Sequence, residues 1–283
     1  MRIRGTIRYG VTTLVAAALG LLCTGTQAQA GTIHRQPRPA PSTATGSGPI
    51  CWYGACYDYV SGRQITDASG ASVRMLQAAP RIKAGDQQSH SLQELALQST
   101  DRKSTVEIGW TVDLGLNGDT RPHLFVYHWV DGAESCYNAC GFVPVSGQIK
   151  AGMAVRAGTS ARFTIRNLAG DWWLFYNERA VGYFPGSLWH GGFNRAQVIT
   201  AFGEVAHANG TSCEEMGDGR PGTARGSSWI RGFRLIGSSD APGMTVTSTS
   251  PALYDAGHVA RTAFHLGGAG TGPCDAGHRT DVR

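Results

Sequence analysis

The stretch S-T-V-E-I-G-W-T-V-D-L, residues 104–114, sets Val106, Ile108, Trp110, Val112 and Leu114 against Thr105, Glu107, Gly109, Thr111 and Asp113. A strict period of two marks a β-strand with one face turned to a core. The apolar face is bulky throughout, and the other face carries Glu107 with the side-chain-free Gly109 beside it. A carboxylate fixed on a rigid strand is either a solvated surface charge or part of a site. After a turn over Gly115–Arg121 comes H-L-F-V-Y-H-W-V, residues 123–130, with Phe125, Tyr127 and Trp129 on one face and Leu124, Val126 and Val130 on the other. Strand, turn and strand at this spacing predict an antiparallel hairpin.

Further alternating segments fall at 161–166, 172–176, 180–184, 197–205 and 229–235, separated by Gly, Pro and Asn turns. With 39 glycines, 283 residues and no convincing long helix, the pattern predicts an all-β chain, an antiparallel β-sandwich of two packed sheets. Residues 90–98 (HSLQELALQ) admit two readings: a short helix with Ser91 and Glu94 as a capping box, or an edge strand. Residues 236–283 are weakly patterned. The glycine-rich G-G-A-G-T-G near the end lacks the Lys-Ser/Thr and the strand–helix context of a nucleotide loop.

Residues 1–30 read as a signal peptide. Arg2, Arg4 and Arg8 precede an apolar run from Val11 to Cys23, and Ala28-Gln29-Ala30 supplies a cleavage signal. The chain is therefore expected to be secreted, with no membrane association after cleavage. The basic excess belongs largely to this segment: 25 basic against 20 acidic residues gives +5, and loss of three arginines leaves 22 against 20, or +2. With no basic run and no basic–aromatic interleaving, a nucleic-acid partner is not expected. Residues 31–49, rich in Pro, Ser, Thr and Gly, form a linker or short pro-segment, and residues 50–86 a disulfide-stapled N-terminal segment of short strands. A main strand-rich domain and a polar tail, 276–283, complete the chain.

Of the seven cysteines, Cys23 lies in the signal segment and six remain. An even number in an exported chain predicts disulfides. Spacing favours Cys51 with Cys56 and Cys136 with Cys140, leaving Cys213 with Cys274. No CxxC pair or nearby histidine pair supports zinc, and no cofactor or metal is expected.

A second strand, Q-V-I-T-A-F-G-E-V (197–205), again carries a glutamate among small and apolar residues: Glu204, with Gly203 before it. Glu94, Glu134, Glu178, Glu214 and Glu215 fall in stretches read as turns or loops, where solvation is expected. If Glu107 and Glu204 face each other, one carboxyl keeps its proton in the acid range. The ionised partner then takes a proton from water while the protonated one polarises a carbonyl or protonates a leaving group. This fits acid hydrolysis of a peptide bond, and also of a glycosidic bond. There is no G-x-S-x-G elbow and no H-E-x-x-H. His90, His123 and His190 read as ordinary turn or strand residues.

In order, S-T-V-E-I-G-W-T-V, P-H-L-F-V-Y-H-W-V-D-G, C-Y-N-A-C-G-F-V, D-W-W-L, V-G-Y-F-P-G-S-L-W, F-G-E-V and M-G-D-G together resemble the neprosin domain over roughly residues 87–275. That family comprises secreted glutamic endopeptidases, first known from carnivorous-plant fluid, with bacterial members of which this chain is expected to be one. The resemblance implies a β-sandwich with a catalytic cleft on its concave face. It also implies metal-free cleavage after proline, or after glycine in some members, at acidic pH. The family's paired glutamates fall on Glu107 and Glu204. The chain departs from the family at Ala201-Phe202-Gly203, where a second glycine or a tryptophan is common, and has only residues 31–86 where plant members carry a large pro-domain.

The expectation is a monomeric acid endopeptidase acting on proline-rich protein or peptide, with Tyr127, Trp129 and Trp173 lining the cleft or packing in the core. The alternatives are a secreted glycan-binding, lectin-like sandwich without catalysis, whose strand aromatics stack on sugars, and a two-carboxylate glycosidase. The glycosidase is disfavoured because Asp113 is the only acidic companion of Glu107 on its face, and it reads as a turn residue.

Overall fold

The computed structural model describes residues 48–52, 55–208 and 212–274. The expected signal peptide (residues 1–30), residues 31–47 and the 276–283 tail lie outside these. Among the described residues are sixteen strands. Strands β1 (Ile50–Trp52), β2 (Ala55–Ala68), β3 (Gly70–Leu76), β4 (His90–Gln98) and β5 (Thr105–Val112) lead to a one-turn helix, α1 (Leu114–Asn117). Strands β6 (His123–Val130), β7 (Ala133–Glu134), β8 (Val143–Pro144), β9 (Ser160–Leu168), β10 (Asp171–Tyr176) and β11 (Arg179–Phe184) follow. The chain continues through β12 (Ala196–Ala208), β13 (Trp229–Ile236), β14 (Thr245–Ser248), β15 (Asp255–Ala260) and β16 (Ala263–Gly267).

The strands form two eight-stranded antiparallel sheets. One has the order β1-β2-β12-β4-β5-β6-β7, with β14 also on β2; the other runs β15-β16-β13-β3-β9-β10-β11-β8. The fold is an all-β sandwich. Its main core lies between the sheets, where Val106, Ile108, Trp110 and Val112 of β5 meet Val73 and Met75 of β3 and Phe163 and Ile165 of β9. The apolar face of the opening stretch is thus spent on the second sheet, which leaves Glu107 on the face turned away from it. That face carries a smaller apolar cluster of its own, with Tyr59, Leu92, Phe125, Tyr127 and Phe202.

The predicted hairpin is present, β5 pairing with β6 from Thr105↔Trp129 to Thr111↔His123. Asp113 is its turn residue: its carboxylate caps α1 by accepting from the Leu116 N–H at 2.9 Å. Residues 90–98 are a strand, and an interior one, with β12 on one side and β5 on the other. All nine residues of β4 are buried, so packing on both faces overrides the helical capping pattern.

Residues 55–76 are integral to the sandwich rather than appended. β2 pairs along its length with β12, while β3, beginning one residue after β2 ends, pairs with β9 and β13 in the other sheet. The chain turns this corner at Gly70, where a Cβ would lie 2.5 Å from the Ile165 carbonyl oxygen. Three strands lie in the weakly patterned region after residue 236. Their apolar content is sparse because β14 is an edge and β15 carries a bulge; Phe264 and Leu266 of β16 lie in the main core, with Val246 of β14 and Ala256 of β15 packed against it.

The disulfides are Cys51–Cys56, Cys136–Cys140 and Cys213–Cys274, as spacing predicted. The third closes a sequence separation of 61 and constrains the unfolded chain most. Replacing Cys213 and Cys274 together by serine is expected to cost about 2–4 kcal/mol. Removing either of the two short-loop disulfides should cost less. Urea midpoints of the three double variants measure the ranking.

Candidate active site

Residues directly opposite on neighbouring strands share a face, so the register builds the site. Glu107 stands opposite Ala96 on β4 and Tyr127 on β6. Glu204 stands opposite Leu92 on β4. Leu92, Glu94 and Ala96 alternate onto one face of β4, so Glu107 and Glu204 look out from the same side of one sheet, with β4 between them. Glu94, opposite Phe202 on β12 and Gly109 on β5, looks out between them.

The three strands make a grid. One row is Thr200, Ala96, Glu107; the next Phe202, Glu94, Gly109; the third Glu204, Leu92, Thr111. Glu107 and Glu204 hold one diagonal, Thr111 and Thr200 the other, and Glu94 the centre. With about 4.8 Å between strands and about 3.3 Å per residue, Glu107 and Glu204 are two strands and four residues apart. Measured along the sheet their backbones are roughly 16 Å apart, and Glu94 is roughly 8 Å from each.

All three carboxyls are withdrawn from bulk water: Glu94 and Glu204 are 0% exposed and Glu107 4%. The His90 imidazole, on the same face of β4, meets Glu204 Oε1 through Nε2 at 2.8 Å. Around them stand Tyr59 edge-on to Phe202 at 5.7 Å, and Tyr127 against Trp129 and Tyr137 at 5.6 and 4.9 Å. The Tyr127 hydroxyl donates to the Ser135 carbonyl at 3.2 Å.

The two glycines flanking the glutamates have different work. At Gly109 a Cβ would lie 2.2 Å from the Gln93 carbonyl oxygen and 2.7 Å from the Glu94 Cβ, so this glycine lets β4 and β5 close up and makes room for Glu94. At Gly203 a Cβ would point into the main core, 2.2 Å from Leu266 Cδ1.

The structure thus brings together Glu107, Glu204, Tyr127 and Trp129. Trp173 is elsewhere, on the outer face of the second sheet, stacked on Tyr183 at 4.7 Å. Glu94 and His90 belong to the site and were not singled out by the sequence. The signal for Glu94 was its period-two alignment with Leu92 and Ala96, legible only once β4 is known to be a strand. Glu214 is also no solvated loop residue: it is buried and accepts from the Ser89 and Ser212 hydroxyls at 2.6 and 2.8 Å.

A second buried polar set lies on the core side of the same sheet. Asp58 of β2 faces His207 of β12 at 3.4 Å and accepts from the Ser250 hydroxyl. The carboxylate, not the imidazole, sits between the other two, so the serine has no base beside it and the set ties strand ends together. Cys213, Glu214 and Cys274 have metal-ligand spacing, but both sulfurs are committed to a disulfide.

The Neprosin family model matches residues 86–269, a span that contains all three glutamates. The chain belongs to the Neprosin family. It is accordingly a peptidase of the glutamic class. The match begins at residue 86, so the Neprosin segment excludes β2 and β3, although the sandwich contains both. Among solved structures, scytalido-glutamic peptidase bound to a transition state analog inhibitor is 8% identical. That match covers 75% of this chain and 98% of that one, at a TM-score of 0.45. SCP-B, a member of the Eqolisin family of peptidases solved with the tripeptide Ala-Ile-His, is 10% identical over 75% of this chain and 98% of its own, at 0.35. The carbohydrate-binding module CBM66 from Bacillus subtilis is 12% identical over 55% of this chain and 80% of its own, at 0.30.

Two histidines shape acid behaviour in opposite directions. For His207, burial opposes the charge, but bonds to Asp58 and the Ala208 carbonyl and the charge of Asp58 outweigh it, so its pKa is raised. Its stabilisation is complete below the unfolded value of about 6.5 and is lost as pH rises through the folded value. His128 is buried against Phe184 at 4.5 Å and Trp189 at 5.6 Å, and burial lowers its pKa from 6.5 to about 4. The unfolded chain therefore binds this proton first, and stability falls as pH drops from about 6.5 towards 4. Replacing His128 by Phe removes that loss: the melting temperature at pH about 4 should rise relative to wild type by more than it does at pH about 7.

Gly109→Ala forces a Cβ onto the β4 backbone. It is expected to cost about 1–3 kcal/mol and to reduce peptidase activity in the fraction that still folds, read by thermal melts and active-site-normalised turnover.

Proposed function

We propose that this Neprosin-family chain is a secreted endopeptidase that cuts after proline, and after glycine more weakly, at acidic pH. Glu107 and Glu204 act as its acid–base pair. The observation that carries the reading is their common face on interior strands of one sheet, on either side of β4. Interior strands are held by ladders on both edges, so the two carboxyls keep a fixed separation into which a peptide bond and a water fit.

In the reaction, one glutamate, ionised, takes a proton from the water as its oxygen bonds to the scissile carbonyl carbon. The other, protonated, delivers its proton to the carbonyl oxygen. Collapse of the tetrahedral species breaks the C–N bond, the first glutamate protonates the leaving amine, and the second recovers its proton as the carbonyl re-forms. Both glutamates return to their starting states with one water consumed. The requirement for one protonated carboxyl is the reason for acid operation. No cofactor enters these steps.

Proline preference rests on Tyr127, which stands directly opposite Glu107, and on its neighbour Trp129. Aromatic walls beside the reacting carboxyl suit the flat, apolar proline ring. Secretion rests on the signal-like residues 1–30 and on three disulfides, which form in oxidising compartments. Among the described residues no helix is long and apolar enough to cross a membrane. The proposed enzyme works as a monomer on protein or peptide substrate.

The test uses the secreted enzyme and a quenched proline-containing peptide at acidic pH. Glu107→Gln and Glu204→Gln should each lower kcat by about 10²–10⁴-fold, and replacing the proline by alanine should lower kcat/KM. Wild-type turnover in either glutamine variant would sink the pair.

A further inference from the structure

As the water oxygen bonds to carbon between Glu107 and Glu204, negative charge develops on the carbonyl oxygen ahead of the proton that the acidic member of the pair delivers, and stabilising that charge is commonly the largest catalytic effect of a hydrolase. Backbone N–H groups often serve, but here they are spent. β12, β4 and β5 are interior strands paired on both edges, so their amides belong to the sheet ladders. The donor has to be a side chain; the Tyr127 hydroxyl is bonded to Ser135 and His90 to Glu204. The hydroxyls of Thr111 and Thr200 lie at the outer corners of the grid, and the Thr111 hydroxyl meets the Ser91 carbonyl at 3.5 Å.

Glu94 occupies the centre. It is one strand and two residues from each glutamate of the pair, it is 0% exposed, and Gly109 forgoes a side chain where a Cβ would strike it. We propose that Glu94, held as the carboxylic acid, is the oxyanion donor of this site. It donates a hydrogen bond to the scissile carbonyl oxygen as the water oxygen bonds to carbon. The proton stays on Glu94 throughout, so the step moves no net charge and needs no co-reactant. The inference rests on the Glu107–Glu204 reading and adds a third catalytic residue to it.

The charge balance of the face agrees. Among the described residues the titratable groups on the face of Glu94 include Glu204 on β12, Glu107 on β5, His90 on its own strand, His123 on β6 opposite Thr111, and the phenols of Tyr57 and Tyr59 on β2 and Tyr127 on β6, with the cation Arg63 of β2 in the Thr200 row. Three carboxylates in so dry a patch repel one another, and a neutral acid at the centre relieves both outer ones.

The experiment compares Glu94→Gln and Glu94→Leu with wild type on the same peptide, alongside Glu107→Gln and Glu204→Gln, with a melting curve for each variant. An amide still donates a hydrogen bond, whereas leucine cannot. Glu94→Leu is expected to lower kcat by about 10²–10³-fold with KM changed less than about threefold. Glu94→Gln should lose no more than about tenfold, with the upper pH limb still set by the protonated member of the Glu107–Glu204 pair. Glu94→Leu within tenfold of wild type, or Glu94→Gln as slow as Glu94→Leu, overturns the proposal. Should Glu94→Leu not fold, Glu94→Gln decides alone: a folded Glu94→Gln that loses more than about a hundredfold in kcat overturns it. Wild-type turnover in Glu107→Gln or Glu204→Gln removes the pair itself, and the oxyanion role with it, whatever Glu94 does.

Discussion

The structure depends on the register of one strand. β4 is hydrogen-bonded to β12 on one side and β5 on the other, and Leu92, Glu94 and Ala96 set the relative height of the two flanking glutamates. Because side chains alternate, a slip of one residue would turn Glu94 into the main core and Leu95 out of it. The apolar partners of Leu95 and Leu97 between the sheets forbid that slip. Core packing on one face therefore fixes the geometry of the proposed site on the other. Glutamic chemistry on a sheet needs no loop to place its groups: ladder hydrogen bonds hold the backbones, and burial holds the side chains.

The sandwich serves this strand from two directions. The second sheet supplies the hydrophobic floor, with Val73, Phe163 and Ile165 beneath β4 and β5, and Gly203 keeps β12 close to Leu266 and Met216. Above the floor, the smaller cluster of Tyr59, Leu92, Phe125, Tyr127 and Phe202 dries the face on which the carboxyls sit. A carboxyl is costly to bury unless it is bonded or neutral, and this chain, with only 16% charged residues, concentrates three of them here. His90 beside Glu204 is one visible compensation. The Asp58–His207 contact and the Ser–Glu214 bonds tie strand ends together on the core side, so the polar groups of the first sheet divide into a structural set within and a reactive set without.

Much of this was legible in the residues. The alternation of residues 104–114 announced a strand with one apolar face and a glutamate on the other, residues 197–205 a second strand with a glutamate among small and apolar residues, and the hairpin partner of the first was readable from its turn. Cysteine spacing favoured the three disulfides that form, because two pairs can close short local loops and the last two are then left to each other. The motifs in series gave the family. Other elements were hidden for physical reasons. H-S-L-Q-E-L-A-L-Q carries a capping pattern and a run of strong helix formers, and only burial on both faces makes it a strand. The strands after residue 236 are short, bulged or at an edge, where little apolar patterning is required. Trp173 alternates like a cleft residue, but its strand belongs to the other sheet.

The sequence by itself determined that residues 104–114 turn one face to a core and Glu107 away from it, since a period of two needs no neighbours to be read; it favoured the cysteine pairs, and for Glu204 it showed only a carboxyl among small and apolar residues. Tertiary structure alone decided that the two share one sheet, that a single strand separates them, and that Glu94 stands between. Those are matters of strand order and register, set by hydrogen bonds between segments about a hundred residues apart in the chain, and local alternation holds no record of which partner a strand will take.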